Sequence, residues 1–289
     1  MGTPYRIPQM TQAGQPPCDG VIATDEYGAE QTTYIANEHP LTLYLNKREI
    51  VTLMTLGGHP ELLAIGYLRN QGIVTDIKDI LAVQVDWDTE SVAVVTREMP
   101  TGLDEKLSRR TVTTGCGQGT VFGDMMESLG RLHLPQIKLR QSTLYGVLKS
   151  LSAHNEVYRR AGAVHGCALC KNEQPLVFIE DVGRHNAVDA IAGQMWLDGE
   201  DGADKIFYTT GRLTSEMVIK VAQMGIPVAL SRSGVTRMGL ELAEKVGLTM
   251  IARAKGQHFL TFSGRDNIVF DAMPEPRGEP RPARLAIEG

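Results

Sequence analysis

The spacing of apolar positions divides the chain into regions of different character. Between residues 20 and 110 the pattern has mainly a period of two. The segment LTLYLNKREIVTL, residues 41–53, alternates apolar and polar positions across an Asn-Lys-Arg turn, the signature of a β-hairpin. AVQVDWDTESVAVVTR, residues 82–97, predicts a second hairpin. Between them HPELLAIGYLRNQG places Leu62, Leu63, Ile65, Gly66 and Leu68 near helical spacing, with Gly72 as a stop. Residues 120–134 and 142–160 predict two further helices. In the second, Leu144, Val147, Leu148 and Leu151 form one apolar face, and Ser142 or Thr143 can cap its start.

The last 110 or so structured residues change character. PLVFIE, KIFYTT, IPVALS and LTMIARA are short β-rich runs, and HNAVDAIAGQMW, TSEMVIKVAQMG and TRMGLELAEKVG between them have helical period. Strand alternating with helix at these lengths implies right-handed crossovers and a sheet with parallel strands. The fold class expected is therefore α/β, with a strand-rich α+β part followed by an α/β layer. The first 18 or so residues and the tail from Met273 onward are rich in Pro and Gly, and their composition predicts poor order. There is no internal repeat.

Composition narrows the function classes. A chain of 289 residues with 42% hydrophobic and 22% charged residues is an ordinary globular protein with a sizeable core. A net charge of −5 argues against a general binder of nucleic acid or acidic membranes, which carries a basic excess. No segment approaches the roughly 20 apolar residues that span a bilayer, and the N-terminus has no apolar run of signal-peptide length. Four cysteines, at positions 18, 116, 167 and 170, are too few and uneven for a disulfide scaffold. The expectation is a cytoplasmic protein with reduced thiols.

Candidate chemistry gathers at two places. In open α/β sheets ligands sit outside the carboxyl ends of the strands. There the sequence reads EDVGRHN, GRLTSE, RSGVTR and RAKGQH, each return with a glycine and at least one arginine: Arg184, Arg212, Arg232 with Arg237, and Arg253. Arginine forks suit phosphate oxygens, glycines let backbone approach a ligand, and helix N-termini favour anions. These features point to a phosphate-bearing ligand, with ordinary surface turns as the bland alternative. Neither Walker A nor G-x-G-x-x-G spacing is present. Glu180, Asp181, Arg184 and His185 form an ionisable cluster beside that edge, readable as turn-ordering or ligand-positioning.

The second place is sulfur. Cys116 stands between glycines in TTGCGQG, residues 113–119, ahead of a segment able to start a helix whose N-terminus favours a thiolate. A nucleophilic or sulfur-carrying thiol fits, and nothing apolar surrounds it to bury it. His165, Cys167 and Cys170 give H-x-C-x-x-C, which admits a zinc, redox or plain packing role. A structural zinc site normally takes four ligands, and no second such pair exists in the chain.

EDVGRHNAVD, TTGRLTSEMVIKVAQMGIPV, SGVTRMGLELAEKVGLT and TTGCGQG resemble the formate dehydrogenase accessory sulfurtransferases, the FdhD family, as does EHPLTLYLNKREIVTLMTLGGHPELLAIGYLRNQGIV. The resemblance runs from about residue 20 to residue 270. It implies a cytoplasmic, homodimeric protein with a cytidine-deaminase-like α/β domain. Combined with the composition and periodicity above, the expected divisions are a disordered 1–19, a strand-rich 20–115, the deaminase-like 116–272 with the sulfur loop at its start, and a disordered 273–289. It also implies a sulfurtransferase that accepts sulfur from a cysteine desulfurase as a persulfide on Cys116. The sulfur passes to the molybdenum bis(molybdopterin guanine dinucleotide) cofactor, bound as cargo, before that enters formate dehydrogenase.

Binding of the cofactor's guanine-nucleotide moiety falls, on that resemblance, to Ile251, Ala252, Arg253, Ala254, Lys255 and Gly256; the arginine-lined edge read from the strand ends adds Arg184, His185, Gly211 and Arg212. No tightly held metal, nucleic acid or membrane is implied. One departure stands out: family members commonly carry C-x-x-C in the sulfur loop, and here the second position is Gly119. A loop disulfide or two-cysteine relay is therefore impossible there. Two alternatives are a cofactor chaperone without sulfur transfer and a zinc-dependent deaminase-like hydrolase. The latter lacks the H-x-E that such chemistry uses.

Overall fold

The computed structural model describes residues 7–104, 111–112, 119–120 and 132–275. Cys116, most of the helix expected over 120–134 and the tail from 276 lie outside the described residues; residues 132–134 carry no regular structure. The fold is mixed α/β.

The chain opens with β1 (Gln9–Met10), an antiparallel ribbon of β2 (Cys18–Thr24) and β3 (Glu30–Ala36), and the hairpin β4 (His39–Leu45) and β5 (Arg48–Thr55). Leu41, Leu43 and Leu45 alternate onto the core face of β4 with no solvent exposure. The turn is the two residues Asn46 and Lys47, both at positive φ (45° and 71°), the backbone twist that a two-residue hairpin prefers. Helix α1 (Pro60–Asn70) follows, with Pro60 in its first turn, then the hairpin β6 (Ile80–Asp86) and β7 (Ser91–Thr96). These strands form one sheet in the order β1-β6-β7-β4-β5. The composition of the first residues predicts poor order, but from Gln9 onward the chain is tied down. β1 pairs with β6, the Ala13 N–H donates to Glu61 Oε1 at 2.8 Å, Gln15 N–H to the Gly57 carbonyl at 2.8 Å, and Trp87 Nε1 to the Ala13 carbonyl.

Two-residue strands β8 (Thr111–Val112) and β9 (Gly119–Thr120) pair antiparallel on either side of residues 113–118. Beyond them come β10 (Leu139–Arg140), α2 (Gln141–Leu151) and the short α3 (Glu156–Ala161). The helix expected over 142–160 is thus broken after Leu151. Ser152 Oγ donates to the Lys149 carbonyl and Asn155 Nδ2 to that of Leu151, side-chain bonds that end a helix by competing for its last acceptors. Nor do Ser142 or Thr143 cap α2. Ser142 lies inside the helix, and its N–H and hydroxyl both donate to Asp271, at 2.9 and 2.8 Å. The α2 cap therefore comes from 129 residues further along the chain.

The second sheet holds β11 (His165–Lys171), β12 (Gln174–Asp181), β13 (Ile206–Thr209), β14 (Val228–Ser231), β15 (Thr249–Lys255) and β16 (His258–Ser263), in the order β12-β11-β13-β14-β15-β16. Strands β13, β14 and β15 are parallel, as their alternation with helices predicts. The intervening helices are α4 (Arg184–Asp198), α5 (Ser215–Gln223) and α6 (Arg237–Val246). β11, which has no strand-like alternation in sequence, is inserted antiparallel between β12 and β13. The short β17 (Ile268–Val269) pairs with β10.

One apolar core lies between the two sheets and takes in α1, α4, α5 and α6; a second, smaller one lies under α2 on the other face of the second sheet. Alternate residues of each strand feed the two: Phe207, Ala229 and Met250 the first, Tyr208, Leu230 and Ile251 the second. Helices α1 and α4 meet at the joint between the sheets, backbone against backbone, at Gly66 and Gly193. No helix among the described residues is long and apolar enough to cross a membrane.

Candidate functional site at the carboxyl edge of the second sheet

All the arginine-bearing returns reach one edge. β12 is antiparallel to β11 and β11 to β13, so β12 points the same way as β13, β14 and β15. Helices α4, α5 and α6 begin at that edge and direct their N-terminal N–H groups to it. The returns are held rigidly. Leu213 N–H donates to the Gly234 carbonyl and Thr236 N–H to that of Leu213, pairing the loops after β13 and β14. Thr209 Oγ1 accepts from Gly211 N–H at 3.0 Å, and Ser231 Oγ donates to the Gly211 carbonyl at 2.7 Å. At the outer side β15 runs past the end of β14. Its bulge places Arg253 in the left-handed region (φ 52°), and the Arg253 N–H donates to the Ser233 carbonyl at 2.8 Å. A bulge at a sheet edge re-aims a side chain, and here that side chain is an exposed guanidinium.

The cofactor-binding residues expected from sequence fall into distinct environments. Arg212, Arg253, Lys255 and Gly256 are exposed along the edge and the β15–β16 turn. Arg184 is only 5% exposed and lies across Gly211, where an added Cβ would come within 2.8 Å of Arg184 Cδ. Ile251, Ala252 and Ala254 are buried in the sheet, so backbone alone is available to a ligand there. Beside the β15–β16 turn, Gln257, His258 and Phe259 join Gln141, Tyr145 and Phe270 around a cleft of about 360 Å³.

His185 sits beneath the surface. Its Nε2 is 3.5 Å from Glu216 Oε2, and Glu216 in turn lies 3.7 Å from Lys220 Nζ. Burial first, and then the Lys220 ammonium, push the His185 imidazole down to about 3, with Glu216 opposing. The folded ring therefore stays neutral while an unfolded one takes up a proton below 6.5. The unfolded state binds the extra proton, so stability is intact above that value and falls as pH drops from it toward 3, by about 1.4 kcal/mol per unit. Thermal melts stepped downward from neutral pH should show this slope in the wild type and a shallower one in His185→Gln.

The acidic members of the EDVGRH cluster are structural. Asp181 accepts from Gly183 N–H at 2.9 Å and Asn186 Nδ2 at 2.8 Å on one oxygen, and from Thr55 Oγ1 and Leu56 N–H on the other. It thereby ties the end of β5 in the first sheet to the end of β12 in the second. Glu180 accepts the N–H groups of Val157 and Tyr158, both at 2.9 Å, capping the first turn of α3.

The H-x-C-x-x-C reading does not survive the fold as a shared site. Cys167 and Cys170 lie on one strand three residues apart and face opposite sides of the sheet, Cys167 toward the core between the sheets and Cys170 toward the core under α2. Among the described residues no group of three or more His, Cys, Asp or Glu is placed to hold a metal ion. Burial pushes both thiols up to about 12, so neither supplies a thiolate at neutral pH. His165, grouped in sequence with the two cysteines, belongs instead to the carboxyl edge. Because β11 runs against its neighbours, its first residue lands on the carboxyl edge, and Arg184 and Arg212 both act on its imidazole. Recognising HGCALCK as a strand would have located it.

Comparison with known proteins gives a consistent kinship. Residues 36–269 match the model of the FdhD/NarQ family. The chain is 30% identical over 238 residues to the sulfur carrier protein FdhD of Bacillus subtilis, covering 81% of this chain and 90% of that one. It is 28% identical over 242 residues to the sulfur carrier protein FdhD of Wolinella succinogenes, covering 82% and 84%. A crystal structure from Desulfotalea psychrophila, described as that of a formate dehydrogenase accessory protein, superposes with a TM-score of 0.70 at 27% identity over 87% of this chain and 98% of that one.

Proposed function

The chain belongs to the FdhD/NarQ family, and from that premise we propose that it is a sulfurtransferase of the cytoplasm, acting before formate dehydrogenase matures. It accepts sulfur on Cys116 from a cysteine desulfurase and passes it to the molybdenum bis(molybdopterin guanine dinucleotide) cofactor. We read the second sheet and its helices as the cytidine-deaminase-like half and the carboxyl edge as the surface that receives the cofactor. The observation that carries this reading is the convergence of the exposed Arg212, Arg232 and Arg253, with Arg184 packed behind Gly211, and of three helix N-termini on one edge, a surface suited to the phosphates of a dinucleotide. The cleft beside Lys255 and Gly256, lined by Tyr145 and Phe259, suits a flat base next to those phosphates.

Loading is an exchange reaction. The Cys116 thiolate attacks the outer sulfur of the donor's persulfide, the donor's S–S bond breaks, and the donor cysteine leaves as a thiolate. Cys116 then carries the persulfide to the cofactor. With Gly119 in the second loop position, one thiol serves as both acceptor and donor. The burial of Cys167 and Cys170 supports Cys116 in this role.

Intact-protein mass spectrometry after incubation with a cysteine desulfurase and cysteine tests the reading. Wild type and Cys167→Ala/Cys170→Ala should gain the mass of one sulfur atom, and Cys116→Ala should gain none and fail to restore formate dehydrogenase activity. A gain that persists in Cys116→Ala would overturn the assignment. No gain in any form, with cofactor binding intact, would favour a chaperone that delivers the cofactor without transferring sulfur.

A further inference from the structure

We propose that His165 is a proton-coupled member of the anion site at the carboxyl edge, taking up a proton as a diphosphate settles against Arg184 and Arg212. This rests on the reading of that edge as a phosphate-binding surface and adds a residue that the strand-end pattern does not include.

The geometry starts with the reversed strand. His165 pairs in register with Asp181, the last residue of β12, so it stands where that strand ends. The next residue, Gly166, is fixed to the end of β13 by two hydrogen bonds, its N–H to Thr210 Oγ1 at 3.0 Å and its carbonyl from Thr210 N–H at 2.9 Å. The half-buried imidazole is thus held between the return that carries Arg184 and the return that carries Arg212. Burial first, then Arg184 and Arg212, hold its pKa below the usual 6.5.

Among the described residues, the nearby carboxylates are engaged elsewhere. Asp181, across the strand pair, has both oxygens occupied by donors from Thr55, Leu56, Gly183 and Asn186. Glu216 on α5 faces His185 and Lys220, and Glu180 caps α3. From α4, Arg184 and the neutral His185 act on the ring, and from the return after β13, Arg212; Thr210 at the end of β13 is uncharged and bonds the neighbouring Gly166. An arriving diphosphate screens the two guanidiniums that oppose protonation, and the imidazolium then becomes a third charged donor. Linkage makes the effect reciprocal: whatever factor the anion adds to proton affinity, the proton adds to anion affinity.

The test uses the full chain and inorganic pyrophosphate as probe. The seven histidines are titrated by NMR with and without saturating pyrophosphate, His165 being assigned by the signal lost in His165→Gln. The expected result is a His165 pKa below the ordinary histidine value in the free protein that rises by about one unit when the anion is bound. Affinity measured from about pH 8 to about pH 6 should also strengthen more in wild type than in His165→Gln, by a factor of up to about ten. His165→Asn, with circular dichroism as a check on folding, guards against disturbance of β11. Pyrophosphate binding with an unmoved His165 pKa would overturn this inference and leave the edge reading intact. No pyrophosphate binding to wild type would overturn both.

Discussion

Replacing Gly193 by alanine lowers the stability of the whole fold by about 3 kcal/mol or more, seen as a urea midpoint shifted far below that of the wild type. An alanine Cβ at position 193 would stand 2.2 Å from the Leu62 carbonyl oxygen, and one at Gly66 would stand 1.7 Å from that of Asp189. Both obstacles are backbone, so no side chain can swing aside. The helices must part, and parting them opens the core between the sheets along its length. In a chain of this size the loss corresponds to a melting temperature lower by roughly 6–12 °C. Gly234→Ala, where nothing lies within 4 Å of the new atom, should leave the midpoint nearly unchanged. If Gly193→Ala melts like Gly234→Ala, the two helices do not meet as closely as described.

Lys220→Met is expected to cost about 3–5 kcal/mol. Lys220 Nζ lies 2.8 Å from Asp189 Oδ2 with both side chains 2% exposed, and Asn70 Nδ2 donates to the other Asp189 oxygen at 2.7 Å. Burial pushes the Asp189 carboxyl up, and the Lys220 ammonium opposes that shift. Removing the ammonium leaves the Asp189 carboxylate in the core without its cation, close to the charge of Glu216. The damage comes from the stranded charge more than from the lost attraction, so Lys220→Met/Asp189→Asn should be more stable than Lys220→Met alone. Equilibrium unfolding of the two variants beside the wild type gives the coupling directly. A double variant less stable than Lys220→Met would show that the pair acts mainly through its packing.

Much of this organisation is legible in the sequence wherever one periodicity dominates. The β4–β5 hairpin follows from strict alternation around Asn46–Lys47, and the parallel strands follow from apolar runs alternating with helical ones. The arginine-lined edge needs only the ends of those strands. β11 is hidden because its buried residues are small and sulfur-containing, and Cys167 and Cys170 suggest ligand spacing before they suggest a strand. What joins distant segments leaves no local trace. Asp271 capping α2, Asp181 tying β5 to β12 and Lys220 paired with Asp189 each depend on tertiary placement. The N-terminal residues mislead for the same reason, since their backbone partners are Glu61, Trp87 and Gly57. In sequence His165 groups with the cysteines rather than with the arginine-lined edge, because its position follows from the direction of a strand, which spacing does not reveal.

The glycine contact between α1 and α4 has a consequence for how the chain can be divided. α1 belongs in sequence to the first sheet and α4 to the second, yet each completes the cover of the other's core. Severed and made separately, the two segments would each present an oily helix flank with a notch in it, shaped for its missing counterpart. They are better regarded as two pieces of one folding unit, inseparable in solution because each, without the other, leaves a helix flank uncovered.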